Sequence, residues 1–185
     1  MSQIDPDAQE VLKFWFEDCD EEQWFKKDPD FDARIAERFS NSIAFGLAGH
    51  LSTWEGEDRG RLALILVLDQ FTRNVFRDTP RAFSGDHIAL RLSQEAVASG
   101  AVDRQSEKFR RIFTLMPMMH SEDLLVQEAA LPLFERHTNE RTLKYALAHR
   151  DIVARFGRFP HRNAILGRES TKEETAFLKE PGSSF

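Results

Sequence analysis

Three stretches of the chain gather side chains that hold or move charge: DQFTRNVFR at residues 69–77, MHSEDLL at 119–125 and HRDIVARFGRFPHRNAILGR at 149–168. Asp69 follows directly on the apolar run LALILVL, so its carboxylate is expected to be at least partly desolvated. An unpaired carboxylate in such a place costs several kcal/mol. A basic partner is therefore expected, with Arg73 at i+4 the nearest and Arg150, Arg158 and Arg162 available from across the fold. A structural Arg–Asp tie is the plainer reading of that pair, and a catalytic acid or base the sharper one.

DQFTRNVFR and RFPHRNAILGR both carry a Phe, then Arg-Asn, then two apolar residues. Asn tolerates turn conformations, so Arg73-Asn74 and Arg162-Asn163 are expected at two helix–loop junctions. If the junctions converge, two planar guanidinium forks can grip one carboxylate or phosphate. Arg155–Arg168 packs four arginines and a histidine among Phe156, Phe159, Ile165 and Leu166. Those arginines are expected to turn inward toward Asp69, Glu122, Asp123 and Asp151.

In MHSEDLL, His120, Glu122 and Asp123 fall at an expected helix start, where free N–H groups and the helix dipole favour anions. Ser121 as the cap, with the two acids complementing the dipole, accounts for the stretch structurally. Used chemically, His120 and Glu122 join Asp69 as candidate acids or bases. HRD at 149–151 imitates a kinase catalytic loop, but no glycine-rich phosphate loop accompanies it. On a helix His149 and Asp151 do not share a face. A metal centre would have to draw on Asp69, His120, Glu122, His149, Asp151 and His161; no HExxH, paired cysteines or calcium loop is present, and neither metal nor cofactor is expected. A serine triad built on Ser121 lacks a GxSxG elbow.

The net charge of −6 is unevenly spread: residues 141–168 carry +6, leaving −12 on the remainder. An acidic body repels nucleic acid, so RNA stacking on Phe156 and Phe159 ranks last among the functions, while a local cationic patch can still hold a small anion. The one cysteine, Cys19, excludes an intramolecular disulfide, and its carboxylate-rich setting is expected to raise the thiol's pKa. No secretory apolar region follows the N-terminus and LALILVL is too short to span a bilayer, so a cytoplasmic protein is expected.

The elements that must position these residues are helical throughout, with no convincing strand alternation. Asp5-Pro6 and Asp28-Pro29 each place an N-cap before a proline at N1. The second opens a helix with Phe31, Ile35, Phe39, Ile43, Leu47 and Leu51 along one face. Asp58 is expected to cap the enclosed helix through residues 62–68. Thr79-Pro80 is expected to open a helical region through Ala98 that Gly100 stops. Ser106 caps the next and Pro117 ends it; Ser121 opens another that Pro132 kinks or shortens. Asn139 and Gly157 bound a further helix, and Thr171-x-x-Glu174 is a capping box. The reading is an all-α antiparallel array of seven to eight helices in a single domain, 1–185, with a frayed tail at 181–185.

Together VLKFWF, Trp24-Phe25, LDQFTRNVFR, MHSEDL, the 149–168 stretch and TKEETAFL resemble a mainly bacterial family, domain of unknown function 924, over residues 11–178. The resemblance implies an all-helical fold similar to the tetratricopeptide-repeat superfamily, with a concave face, and implies no activity. The family's motif positions fall on Asp69, Gln70, Arg73, Asn74, Arg77, His120, Ser121, Glu122, His149, Arg150, Arg158, His161, Arg162, Asn163 and Arg168. Its pattern lacks the proline at Pro132.

Two functions follow. The first is a binding or scaffold module whose pocket holds a small anionic ligand, or the acidic group of a peptide, against Arg73, Arg150, Arg158 and Arg162. Asn74 and Asn163 would orient it, with His120, His149 and His161 tuning it near neutral pH. The alternative is a hydrolase of a phosphorylated or carboxylated small molecule, with Asp69 or Glu122 as base, a histidine such as His120 as acid, and the arginines stabilising developing charge.

Overall fold

The structure is a computed structural model and describes residues 4–184. Met1–Gln3, part of the stretch read as leaderless, and Phe185, the last residue of the expected frayed tail, lie outside them.

Local chemistry sets most helix starts. Asp5 accepts from the Asp7 amide and opens α1 (Pro6–Phe16); Asp28 accepts from Asp30 and Phe31 and opens α3 (Pro29–Leu47). Between them Asp20 and Gln23 form a capping box for the short α2 (Glu21–Phe25). In α3 the buried face runs Phe31, Ile35, Phe39, Ile43 and then Gly46. A Cβ on Gly46 would meet Leu68 at 3.3 Å, so the next helix presses on α3 there and Leu47 is displaced to the edge of the core.

That next helix is α4 (Asp58–Ile65), which runs through a π turn (Leu66–Phe71) into α5 (Thr72–Val75). Glu57, not Asp58, supplies its cap by accepting from Gly60, because Asp58 is drawn away by Arg104 at 2.8 Å. Every residue from Leu62 to Thr72 is buried, as a helix apolar on all sides requires. Widening the helix by one residue per turn is rare outside functional sites. Here the wide turn carries Asp69 and Gln70, which contact His120 and Met116, while Phe71 packs on Phe14 and Phe39.

The helical region expected from Thr79 through Ala98 is broken. A 3-10 turn (Pro80–Phe83) leads to Gly85, and α6 (Asp86–Ala98) starts after it. Gly85 is pressed against the π turn so closely that a Cβ would lie 2.2 Å from the Leu68 carbonyl oxygen. Gly100 is left-handed and separates α6 from α7 (Ala101–Arg104).

Two prolines behave differently from expectation. Pro117 does not end α8 (Lys108–Met119), which runs two residues beyond it, and Gln127 donates to the Met119 and Ser121 carbonyls at 2.6 and 2.8 Å at the helix end. Glu107, not Ser106, precedes α8, and it makes no side-chain cap bond. Pro132 neither ends nor shortens α9 (Leu124–His137): Pro132 and Glu128 are both exposed, so water can reach the Glu128 carbonyl left without a donor. Asp123 rather than Ser121 caps α9, and Ser121 accepts from the Asp123 amide instead.

Asn139 and Gly157 bound α10 (Glu140–Phe156), and the Thr171–Glu174 capping box opens α11 (Lys172–Phe177). The tail is not frayed as far as Ser183, which is buried and donates to the Leu178 carbonyl at 3.2 Å.

The fold is all-α, with no strand among the described residues, and it divides into more helical segments than the expected seven to eight because turns such as α2 and α7 stand apart. Contacts run α1 to α4, α4 to α6, α6 to α8, α8 to α9 and α9 to α10, with α3 against the π turn. A large apolar cluster joins α1, α3, α4 and α8, and a second joins α6, α8, α9 and α10. Cys19 sits at the edge of the first; burial, ahead of its acidic neighbours, pushes its thiol up to about 11. No helix among the described residues is long and apolar enough to cross a membrane.

Candidate functional site

Asp69 is 1% exposed and lies where the π turn meets the end of α8. Its Oδ1 is 2.8 Å from His120 Nδ1 and 3.0 Å from Arg73 Nη1, and its Oδ2 accepts from Gln70 Nε2 at 2.5 Å. Arg73 is the expected i+4 partner. Its guanidinium also forms a two-pronged bond to Asp86, at 2.9 and 3.0 Å, and donates to the Asp69 carbonyl. Arg162 reaches the same acid from the far junction: Nη1 is 3.5 Å from Asp86 Oδ2, and Nη2 donates to the His120 carbonyl at 3.1 Å. Phe83 lies against both guanidiniums, 5.6 Å from Arg73 and 4.7 Å from Arg162, and the Phe159 ring is 4.6 Å from Arg162.

The two Arg-Asn junctions thus converge, and the carboxylate they share is the chain's own Asp86. Sequence reasoning missed this residue. It lies at the first position of α6, and neither its spacing from Arg73 nor that from Arg162 is a helical one.

These groups border a cavity of about 740 Å³. Of the sequence-predicted residues, Arg73, Asn74, His120, His149, His161 and Arg162 line it, and Asp69 stands behind His120 and Gln70. Arg150, Arg158, Asn163 and Glu122 do not. Arg150 bonds Asp151 at the surface; Arg158 clamps Glu174 at 2.6 and 2.8 Å; Asn163 bridges Ser170 and Arg168. Glu122 accepts from Arg168 at 2.7 and 2.9 Å and from the Phe159 amide at 2.8 Å, and lines a smaller hollow of about 290 Å³ that shares His120 and Arg162 with the main cavity. Asn74, though on the wall, donates to Asp32 at 2.7 Å beside Arg77, which grips the same acid.

The arginines of 155–168 do turn toward acids, and of the four acids expected only Glu122 is among them. Arg155 and Arg158 take Glu173 and Glu174 of α11, Arg162 takes Asp86 and Arg168 takes Glu122. Phe159 is fully buried and Phe156 packs on Phe177.

Further lining residues come from elements with no sequence signal for a site. Trp24, Phe25, Lys26 and Lys27 come from the end of α2, Phe109 and Ile112 from α8, and Arg141, Thr142 and Tyr145 from α10. Gln70 and Arg77 inside DQFTRNVFR, Met119 beside His120 and Ile165 after Asn163 also line it, within stretches already singled out.

Charge states follow from the surroundings. Burial opposes ionisation of Asp69, yet Arg73, then His120 and Gln70, hold its carboxylate below the usual range. Burial lowers His120 further than Asp69 raises it. Burial, and then the neighbouring His120, takes His149 to about 3, and burial with Arg162 takes His161 to about 4. The cavity histidines are therefore neutral at pH 7. His149 Nδ1 is 2.7 Å from the Tyr145 carbonyl, so it carries the ring proton. Arg162 is pulled down to about 10, by burial first and Arg73 second. Among the described residues no three His, Cys, Asp or Glu side chains gather to hold a metal ion.

A family model described as bacterial protein of unknown function (DUF924) matches residues 11–182. The chain is similar to a solved protein of unknown function, ATU0120 from Agrobacterium tumefaciens, at 38% identity and a TM-score of 0.88, covering 93% of this chain and 96% of that one. No curated protein matches the chain.

Proposed function

We propose that this chain, which belongs to the family of bacterial proteins of unknown function DUF924, is a helical binding module for a small anionic ligand or the acidic group of a peptide. Arg162 carries the reading. It is 7% exposed and lines the cavity, yet its Nε is buried with no hydrogen-bond partner among the described residues. Among the described residues the one acid within 4 Å of it, Asp86, lies at 3.5 Å and already accepts from Arg73. A buried guanidinium with that little compensation gains more from an incoming anion than one already clamped. The other cations of the wall, Lys26, Lys27, Arg73, Arg77 and Arg141, each pair with an acid at 2.8–3.3 Å, which leaves Arg162 as the loosely held one.

Thermal unfolding in the presence of phosphate, citrate and phosphorylated metabolites tests this. A ligand at one hundred times its Kd raises the unfolding free energy by about 2.7 kcal/mol. The gain should fall with added salt and vanish in Arg162→Ala while Arg150→Ala keeps it. No stabilisation by any anion in folded wild-type protein would overturn the reading.

The hydrolase reading rests on one contact, His120 Nδ1 to the buried Asp69 Oδ1 at 2.8 Å, and it exchanges the roles expected from the sequence, with His120 as base and Asp69 orienting it. That bond orients the imidazole and leaves Nε2 to take a proton, the arrangement of a base held by a buried acid. Release of phenol or acid from aryl phosphates and esters, lost in His120→Gln, would favour it; no turnover across both classes would remove it.

A further inference from the structure

We infer that the ligand is an aromatic amphiphile, a phosphate or carboxylate head on an aromatic body, with the head at Arg162 and the body against Trp24, Phe25 and Tyr145. The inference rests on the anion-binding reading above and specifies its substrate class.

Size is the first argument. A cavity of about 740 Å³ is far larger than one phosphate or carboxylate fills, and lies in the range that metabolite-sized ligands occupy. The second is the division of the lining. His120, Arg73 and Arg162 form one group with Phe83 against the two guanidiniums. Trp24 and Phe109 form another, with ring centroids 4.9 Å apart. Gln70 joins the two groups, one amide nitrogen reaching Asp69 and, at 3.3 Å, Met116 Sδ.

The aromatic group is held rigid. Trp24 Nε1 donates to the Trp15 carbonyl at 2.9 Å, so its polar atom is already satisfied and the ring is left as an apolar wall. Met116 and Met119 also line the cavity and can adjust to the outline of a bound ring.

The third argument is exposure. Phe25 is 54% and Tyr145 48% exposed, and both line the cavity. The fold makes little use of these two faces, whereas an aromatic guest would cover them and take its own apolar surface out of water.

Calorimetry on the full chain with four probes decides the matter: phenyl phosphate and phenylacetate against inorganic phosphate and acetate. The aromatic probes should bind about ten-fold tighter or more than the bare ions, the gain expected from burying one ring. Phe25→Ala, a change at a largely exposed side chain, should cut that advantage. If phenyl phosphate binds no tighter than phosphate, the inference fails while the anion site stands. If neither binds, both fail together.

Discussion

Arg162 Nη1 stops 3.5 Å from Asp86 Oδ2. At that separation a guanidinium–carboxylate contact is a loose approach, well outside the 2.7–2.9 Å usual for charge-assisted bonds. Arg73, in contrast, grips both oxygens of the same acid and also reaches Asp69. One cation at this junction therefore belongs to the scaffold, and the other is held in place by Phe83, Phe159 and the His120 carbonyl with charge to spare.

That asymmetry has a stability signature. Arg73→Ala strips the main partner from two acids, one of them fully enclosed, and should cost about 3–5 kcal/mol. Arg162→Ala loses chiefly a charged hydrogen bond to the His120 carbonyl and should cost about 1.5–3 kcal/mol. Urea denaturation of both variants gives the comparison. Equal losses would mean that Arg162 is a tie of the same kind as Arg73, with no surplus for a ligand.

The histidines set a pH dependence. Burial lowers His149 to about 3 and His161 to about 4 from an ordinary value of 6.5. Below 6.5 the unfolded chain binds protons that the folded chain refuses. Their contribution is therefore complete above pH 6.5 and is lost as pH falls through 5 toward 4 and 3. Each group steepens the loss by up to about 1.4 kcal/mol per pH unit. Stability measured at pH 7, 6 and 5 should fall less steeply in His149→Gln than in wild type, and parallel profiles would refute the assignment.

Gly85→Ala tests what holds the site together. The added Cβ would meet the Leu68 carbonyl oxygen at 2.2 Å, and that oxygen belongs to the π turn and accepts from Thr72 at 2.7 Å. Relief requires α6 to move away, carrying Asp86 from Arg73. A loss of about 1–3 kcal/mol is expected, together with weaker phosphate binding. Gly56→Ala, with nothing within 4 Å of the added carbon, is the control.

Two of the failed helix starts show where local chemistry runs out. Ser121 is the expected cap, with Glu122 and Asp123 expected only to complement the helix dipole. Asp123 takes the role, while Arg168 and the Phe159 amide, from a distant segment, draw Glu122 away. Likewise Asp58 loses its expected cap to Glu57 because Arg104 reaches it from α7.

The sequence by itself determined the all-α class, the caps at Asp5, Asp28, Asn139 and Thr171, the stop at Gly157 and the Asp69–Arg73 pair. Each is an interaction between residues at most four apart, or the conformational freedom of one glycine, so spacing alone fixes it. Only the tertiary structure decided which acid Arg162 meets, that Arg158 and Asn163 serve the scaffold, and that Trp24, Phe25 and Tyr145 share a wall with His120. The Arg162–Asp86 contact joins segments 76 residues apart. It depends on the close approach of α6 to the π turn at Gly85, an approach that no local pattern in the sequence encodes.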